Sequence, residues 1–246
     1  MKKILEVNKL NKKYHTINEE INALEDINFN IYEGEFISIV GPSGCGKSTI
    51  LSILSNLIDK SSGEITILNG YKIAYMLQND SLLPFSTVLD NCLIGLKVNN
   101  MNTKNNRDYI IKLLKKYGLG NFMNKYPGNL SGGMRQRCAL IRTLALKPDI
   151  LLLDEAMSAL DYQTRLKIGE DIYNIIKNEK KTAIMVTHDI GEAISMSDRI
   201  IVLTKRPGKV KKIYNIKLDN PSTPINNRKD KLFVKYFNEI WEDLNE

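Results

Sequence analysis

The chain has 246 residues, 43% hydrophobic and 26% charged, and 35 Lys+Arg against 28 Asp+Glu leave a net charge of +7. A chain of this size and make-up can bury a large core, which excludes a disordered, collagen-like or small disulfide-stapled protein. No apolar run approaches the ~20 residues of a membrane-spanning helix, and the basic residues are scattered, which favours an anionic membrane surface or a Lys- and Asn-rich proteome over nucleic acid.

Taken in order, MKKILEVNKL has no apolar stretch long enough for a signal peptide, so the chain is expected to stay in the cytosol. Ile4 to Leu10 alternates imperfectly and predicts a strand, and the polar stretch around Tyr14 predicts a loop. Ile27, Phe29 and Ile31 alternate with asparagines, a half-buried strand closed by Glu33-Gly34. Phe36, Ile37, Ile39 and Val40 read as a fully buried strand, followed by a glycine-rich stretch and an apolar helix from about Lys47. Ile65 to Leu68 predicts a strand, Asn69-Gly70 a hairpin-type turn, and Ile73 to Leu77 its antiparallel partner, giving a small antiparallel layer.

From Asn79 to Leu146 no strand pattern emerges. Helical patterns at Tyr109 to Tyr117 and from Ser131 predict a helical insertion. After Pro148, strands at Ile150–Leu153, Thr182–Val186 and Ile200–Leu203 alternate with helices at Gln163–Glu179 and Gly191–Met196. That alternation predicts a parallel sheet covered on both faces. Pro207-Gly208 turns the chain into a strand from Val210 to Leu218, and Pro221 and Pro224 mark a linker. Leu232, Phe233, Tyr236, Phe237, Ile240, Trp241 and Leu244 form the stripe of an amphipathic helix, expected to dock on the chain's own body rather than on a partner or membrane surface.

The chemistry starts at Gly41-Pro42-Ser43-Gly44-Cys45-Gly46-Lys47-Ser48, which fits G-x-x-x-x-G-K-[ST] at every fixed position. Glycines let successive backbone N–H groups turn inward as an anion nest, and the helix start adds its dipole. Lys47 is placed to reach the β- and γ-phosphates, and the Ser48 hydroxyl to ligate Mg²⁺. The buried strand before and the apolar helix after supply the context this motif needs, so a nucleoside triphosphate site is expected. Asp154 ends a wholly apolar strand, where a parallel sheet presents ligand-binding groups, and is placed to hold the same Mg²⁺. Glu155, next in the chain, is placed to polarise an attacking water as general base. His188 ends the neighbouring strand and is expected in the same crevice, donating to the γ-phosphate.

Ser131 is a good N-cap, and Gly132 and Gly133 leave bare N–H groups at a second positive helix end. One nucleotide does not need both anion sites, so this end is expected to serve the nucleotide of another copy, making the active site composite. Cys45, Cys92 and Cys138 lie far apart and suggest neither a metal cluster nor a disulfide, and Cys45 is expected to be a bystander open to alkylation.

LSGGMRQR at 130–137, followed by the apolar strand, Asp154-Glu155, Ser158-Ala159-Leu160-Asp161 and a strand end carrying His188, resembles the ATP-binding cassette (ABC) family. The resemblance runs from Leu5 to about Val210. It implies an α/β fold: a RecA-like P-loop NTPase core, an N-terminal antiparallel β layer and a helical subdomain inserted between the Q-loop and the signature helix. The implied divisions are 1–78 and 147–220 for the two parts of the core, 79–146 for the helical subdomain, and 221–246 for a linker and amphipathic helix. By the same resemblance Tyr14 is similar to the aromatic that stacks on adenine. Gly41, Pro42, Ser43, Gly44, Cys45, Gly46, Lys47, Ser48 and Thr49 form the phosphate loop. Gln78 resembles the glutamine that contacts Mg²⁺ and links the site to the helical subdomain. Ser131, Gly132 and Gly133 would contact the γ-phosphate of the opposite protomer. Asp154 and Glu155 would be the metal-binding acid and the base, Asp161 would cross the dimer interface, and His188 would be the switch histidine.

Gln78 through Asn91, and Ser158 through Arg165, are similar to the nitrate, sulfonate, taurine and thiamine-precursor importer group. Phe85 stands where that group usually has Trp, and Ala156-Met157 where Pro-Phe is usual, which leaves activity intact but the transported compound open. The resemblance therefore implies an ATPase subunit, with ATP and Mg²⁺, on the cytoplasmic side of the membrane. Its implied partners are a second copy head-to-tail, two permease subunits and, indirectly, an extracellular binding protein. Leu82-Leu83-Pro84-Phe85, three large apolar residues around a proline soon after Gln78, are expected to dock the permease rather than pack inside the helical subdomain. A soluble cassette ATPase acting on nucleic acid or the ribosome is the rival. Only about fifty residues separate Gln78 from Ser131, too few for the long coiled coils of DNA-repair cassettes, and the chain holds one cassette where ribosome-acting members usually carry two. A regulatory nucleotide-binding module without turnover would not need both Glu155 and His188.

Overall fold

The computed structural model describes residues 2–15, 19–157 and 161–245. Its strands are β1 (Lys3–His15), β2 (Glu20–Tyr32), β3 (Phe36–Val40), β4 (Ser62–Ile67), β5 (Ile73–Met76), β6 (Ile150–Asp154), β7 (Thr182–Val186), β8 (Arg199–Leu203) and β9 (Val210–Asn215). The helices are α1 (Lys47–Leu54), α2 (Val88–Val98), α3 (Lys104–Lys116), α4 (Gly132–Leu144), α5 (Tyr162–Asn178), α6 (Ile190–Met196), α7 (Pro224–Asn227) and α8 (Lys231–Asn245).

The main sheet has six strands in the order β5-β6-β7-β3-β8-β9. The first five run parallel, and β9 closes the edge antiparallel to β8. Because both faces are covered, its central strands are apolar throughout rather than alternating. In β6, Leu151 and Leu153 face a core shared with α2, α3, α4 and α5, while Ile150 and Leu152 face a second core shared with α1 and the smaller sheet. The smaller sheet is antiparallel, in the order β2-β1-β4. It buries Leu5, Val7, Leu10, Ile27, Phe29 and Ile31 against the main sheet and leaves its polar residues in water.

Three expectations need correction. The stretch around Tyr14 is the end of β1, not a loop: Tyr14 pairs with Ile21 and Lys13 with Asn22. Its polar side chains hid the strand, which cross-strand backbone bonds hold rather than burial. The turn at Asn69-Gly70 exists, but β4 and β5 do not pair. Leu68 N–H continues onto Ile4 O at 2.9 Å, whereas the Lys72 carbonyl accepts from Asp149 and Ile150, so β5 crosses to the main sheet and runs parallel to β6. The antiparallel layer therefore comes from β1 with β2 and β1 with β4. The stretch around Pro224 is not a free linker: Pro224 opens α7, where a missing N–H costs nothing, and buried Asn227 donates to Ser195 O at 2.8 Å. Between 79 and 146, α2 joins the two expected helical patterns.

The terminal helix α8 lies on the chain's own body. Ile240 is fully buried with Ile190, Ala193, Ile194, Ile200 and Tyr214, and Tyr214 donates to Asp243. Among the described residues no helix is long and apolar enough to cross a membrane.

Candidate functional site

The carboxyl ends of adjacent parallel strands converge, as expected for ligand binding in an open α/β sheet. β5 leads to Gln78, β6 ends in Asp154 and Glu155, β7 leads to His188, β3 opens into the phosphate loop, and β8 leads to Arg206. The loop after β3 is shaped by local chemistry. Gly46 has φ 99°, and a Cβ there would meet a Leu24 methyl at 2.5 Å, so only glycine fits. The Lys47 ammonium folds back under the loop, donating to Gly41 O at 2.8 Å and Pro42 O at 3.1 Å.

A cavity of about 570 Å³ opens beside this loop. Ser43, Gly44, Gly46, Lys47, Ser48 and Thr49 of the phosphate loop and Tyr14, Ile21 and Ala23 of the small sheet line it, with Glu155 and Arg206 completing it. Gly41, Pro42 and Cys45 shape the loop without lining the cavity. Cys45 is wholly buried, and burial pushes its thiol pKa up, which overturns the expectation of an alkylatable thiol.

Two polar clusters meet the cavity. In the first, Ser48 Oγ donates to Asp154 Oδ1 at 2.9 Å, and Tyr75 Oη donates to Asp154 Oδ2 at 2.6 Å. Burial first, and then the bond to Asp154, raise the Tyr75 pKa, so the phenol stays a donor and holds the carboxylate in place. Sequence reasoning missed Tyr75; the signal was a hydroxyl in an otherwise apolar strand, beside the strand ending in Asp154. In the second cluster, Gln78 Nε2 donates to Glu155 Oε2 at 3.1 Å, and His188 Nδ1 lies 3.5 Å from the same oxygen. Glu155 takes a left-handed backbone, φ 43°, with its N–H bonded to Val186 O at 3.0 Å. Such a conformation costs a non-glycine residue about 1–3 kcal/mol and turns the side chain away from that of Asp154.

Behind the histidine, the Thr187 hydroxyl donates to the buried Glu192 carboxylate and accepts from Asp189 N–H at 3.1 Å. The remaining sequence candidates stand apart from the cavity. Ser131 caps α4, its Oγ accepting from Met134 N at 3.3 Å. Gly132 and Gly133 form the first turn of α4. Asp161 caps α5, and the bonds it accepts from Thr164 hold its carboxyl below the usual range. Ser158, Ala159 and Leu160 lie outside the described residues.

Fold and site together define a P-loop nucleotide-triphosphatase. Residues 24–158 match the sequence pattern of the ABC transporter family, and the chain belongs to that family, as one of its ATP-binding ATPase subunits. It is 43% identical to the uncharacterized ABC transporter ATP-binding protein YtlC of Bacillus subtilis (strain 168), over 98% of this chain and 95% of that one. It is 36% identical to the nitrate transport protein NasD of Klebsiella oxytoca, over 90% of this chain and 88% of that one. Among solved structures it is similar to the dimeric post-hydrolysis state of the ATP-binding cassette MJ0796 bound to ADP and Pi. The TM-score there is 0.74 at 34% identity, covering 87% of this chain and 99% of that one.

Proposed function

We propose that this chain is the ATP-hydrolysing subunit of an importer for a small solute of the nitrate, sulfonate, taurine or thiamine-precursor kind. In this reading two copies close head-to-tail around ATP and pull on two separate permease subunits at the cytoplasmic face of the membrane. The observation that carries the catalytic half is the convergence of Gln78 and His188 on one carboxylate oxygen of Glu155, at the edge of a cavity walled by a phosphate loop. Glu155 accepts a proton from the attacking water as its oxygen bonds to the γ-phosphorus and the bond to the β-phosphate oxygen breaks. His188 and Gln78 orient the carboxylate and the water.

Ser48 Oγ and Asp154 Oδ1, 2.9 Å apart, are hard oxygen donors that fit Mg²⁺, with Gln78 as a further ligand candidate. The bound ion would neutralise charge on the β- and γ-phosphate oxygens. Tyr14 stacks on the adenine. Ser131, Gly132 and Gly133, remote from this chain's own cavity, act on the γ-phosphate held by the other copy, and Asp161 crosses between the copies.

The importer half draws on NasD, a nitrate transport protein by name, and on the exposed Phe85. Leu82 is buried in the helical core, so the expected docking segment contracts to Leu83, Pro84 and Phe85. Glu155→Gln tests the catalytic role. ATP affinity should survive, because the amide still hydrogen-bonds water, while turnover falls on the order of 10²–10⁴-fold for want of a base. Turnover within a few-fold of the parent would remove Glu155 from that role.

A further inference from the structure

Four of the five parallel strands deliver residues already given a role. The fifth, β8, ends at Leu203 and leads through Thr204 and Lys205 to Arg206, which lines the same cavity as Lys47. We propose that Arg206 is a nucleotide-binding residue that pairs with the diphosphate portion of the bound nucleotide. This rests on reading the cavity as the ATP site and adds a residue to it.

The loop that carries Arg206 is fixed against the phosphate loop. Gly208 N–H donates to Ala23 O and Glu25 N–H donates to Gly208 O, each at 3.0 Å, and Lys209 Nζ bonds Glu25 at 2.7 Å. Thr204 Oγ1 donates to Pro207 O at 3.1 Å, closing the turn. Gly208 lies so close to the phosphate loop that a Cβ there would stand 2.1 Å from Cys45 O. Arg206, two residues earlier, is thus held beside the loop that receives phosphate.

The side chain itself is uncommitted. Other arginines are engaged: Arg199 bonds Glu35 at 3.0 Å, Arg135 bonds Asp80 at 3.1 Å, and Arg142 bonds Asp80 O at 2.6 Å. Arg206 is exposed and makes no hydrogen bond or ion pair among the described residues. Its planar fork suits two phosphate oxygens at once. Charge complementarity points the same way. Among the charged residues lining the cavity, Lys47 and Arg206 are the cations and Glu155 the anion, and the Lys47 ammonium is shared with two loop carbonyls. A polyphosphate brings more negative charge than Lys47 alone can balance. Tyr14, Ile21 and Ala23 of the small sheet offer an aromatic ring and apolar surface that suit a flat base, which leaves the guanidinium for the phosphates.

The test is equilibrium titration of the full chain with ADP and with Mg·ATP, comparing the parent with Arg206→Gln, Arg206→Lys and Lys47→Ala. Arg206→Gln should weaken both nucleotides on the order of tenfold to a hundredfold, the effect of losing charge-assisted hydrogen bonds. Arg206→Lys should recover part of the loss, and the salt dependence of affinity should shrink in the glutamine variant. The nucleotide-free melting temperature should not move, since the guanidinium makes no hydrogen bond or ion pair among the described residues. Binding within twofold of the parent in Arg206→Gln, while Lys47→Ala abolishes it, overturns this inference and leaves the ATP site standing. A fall in nucleotide-free stability that accounts for the weaker binding also overturns it. A parent chain that binds neither nucleotide overturns the ATP-site reading itself.

Discussion

Glu155 and Asp154 are adjacent in the chain yet belong to different clusters, and the backbone is what separates them. Asp154 is the last residue of β6 and faces α1, where Ser48 and Tyr75 fix it. Glu155 enters the left-handed region and meets Gln78 and His188 instead. The pair of acids is readable in the sequence, but the strained turn between them is not, because nothing in a Glu side chain announces a positive φ. Glu192 is a second residue with a consequence at this scale. Burial raises its pKa above the ordinary 4.5, partly opposed by the Thr187 hydroxyl, with Asp189 adding to the rise and Arg165 and Arg228 opposing it. A raised carboxyl binds its proton more tightly when folded, so its contribution to stability is complete below pH about 4.5 and is lost as pH climbs through the folded value. Glu192→Gln keeps an acceptor for Thr187 and has no proton to lose. Its melting temperature should therefore gain on the parent as pH rises from 4.5 to 8; a gap that stays constant over that range would show that Glu192 does not titrate in the fold.

The segment between β5 and α2 shows how elements communicate. Buried Asn91 of α2 donates to the carbonyls of Leu83, Ser86 and Thr87 and accepts from Leu83 N–H at 2.7 Å, so one amide holds the turn that exposes Phe85. From the other side Arg142 and Arg135 of α4 grip Asp80. The loop after Gln78 is thereby tied to the helix that Ser131 caps. Three substitutions separate its parts. Phe85→Ala, at a position 76% exposed, should leave the melting temperature of the isolated chain unchanged and abolish assembly with the permease. Leu82→Ala should cost about 2–5 kcal/mol as a core truncation. Asn91→Ala should lower stability by about 1–3 kcal/mol, or several degrees in Tm, because Ser86 O loses that donor and Leu83 N–H its acceptor, while backbone N–H groups still reach Leu83 O and Thr87 O. Loss of stability in Phe85→Ala with assembly intact would refute the docking role.

Element type was legible where one physical signal dominated. The apolar runs of β3, β6 and β7 and the N-cap at Ser131 fall where composition and spacing place them. Helix α2 was not legible, because the half-buried Ile94 and the exposed Val98 lie off the buried stripe of Val88, Leu89, Cys92, Leu93 and Leu96 and blur its period. The partner of β5 was not legible either, since a tight turn before a strand does not say which sheet captures it. In the site, Asp154 and His188 followed from strand ends, and the same rule applied to β8 would have pointed to Arg206.

At the scale of the whole molecule, the composite-site proposal turns on two glycine-flanked helix starts, those of α1 and α4. The phosphate loop and Glu155 line one cavity, while Ser131, Gly132 and Gly133 take no part in lining it. A chain that kept both for its own nucleotide would bring them together. This one keeps the second, capped by the exposed Ser131, outside the cavity, where a second copy placed head-to-tail would use it. The most direct measurement is specific ATPase activity against protein concentration at saturating Mg·ATP, with the association state followed by sedimentation. Specific activity should rise with concentration and level off where the dimer is complete, and Ser131→Arg should abolish that rise while leaving ATP binding intact. Constant specific activity down to nanomolar protein, in a chain shown to be monomeric throughout, would contradict the composite site.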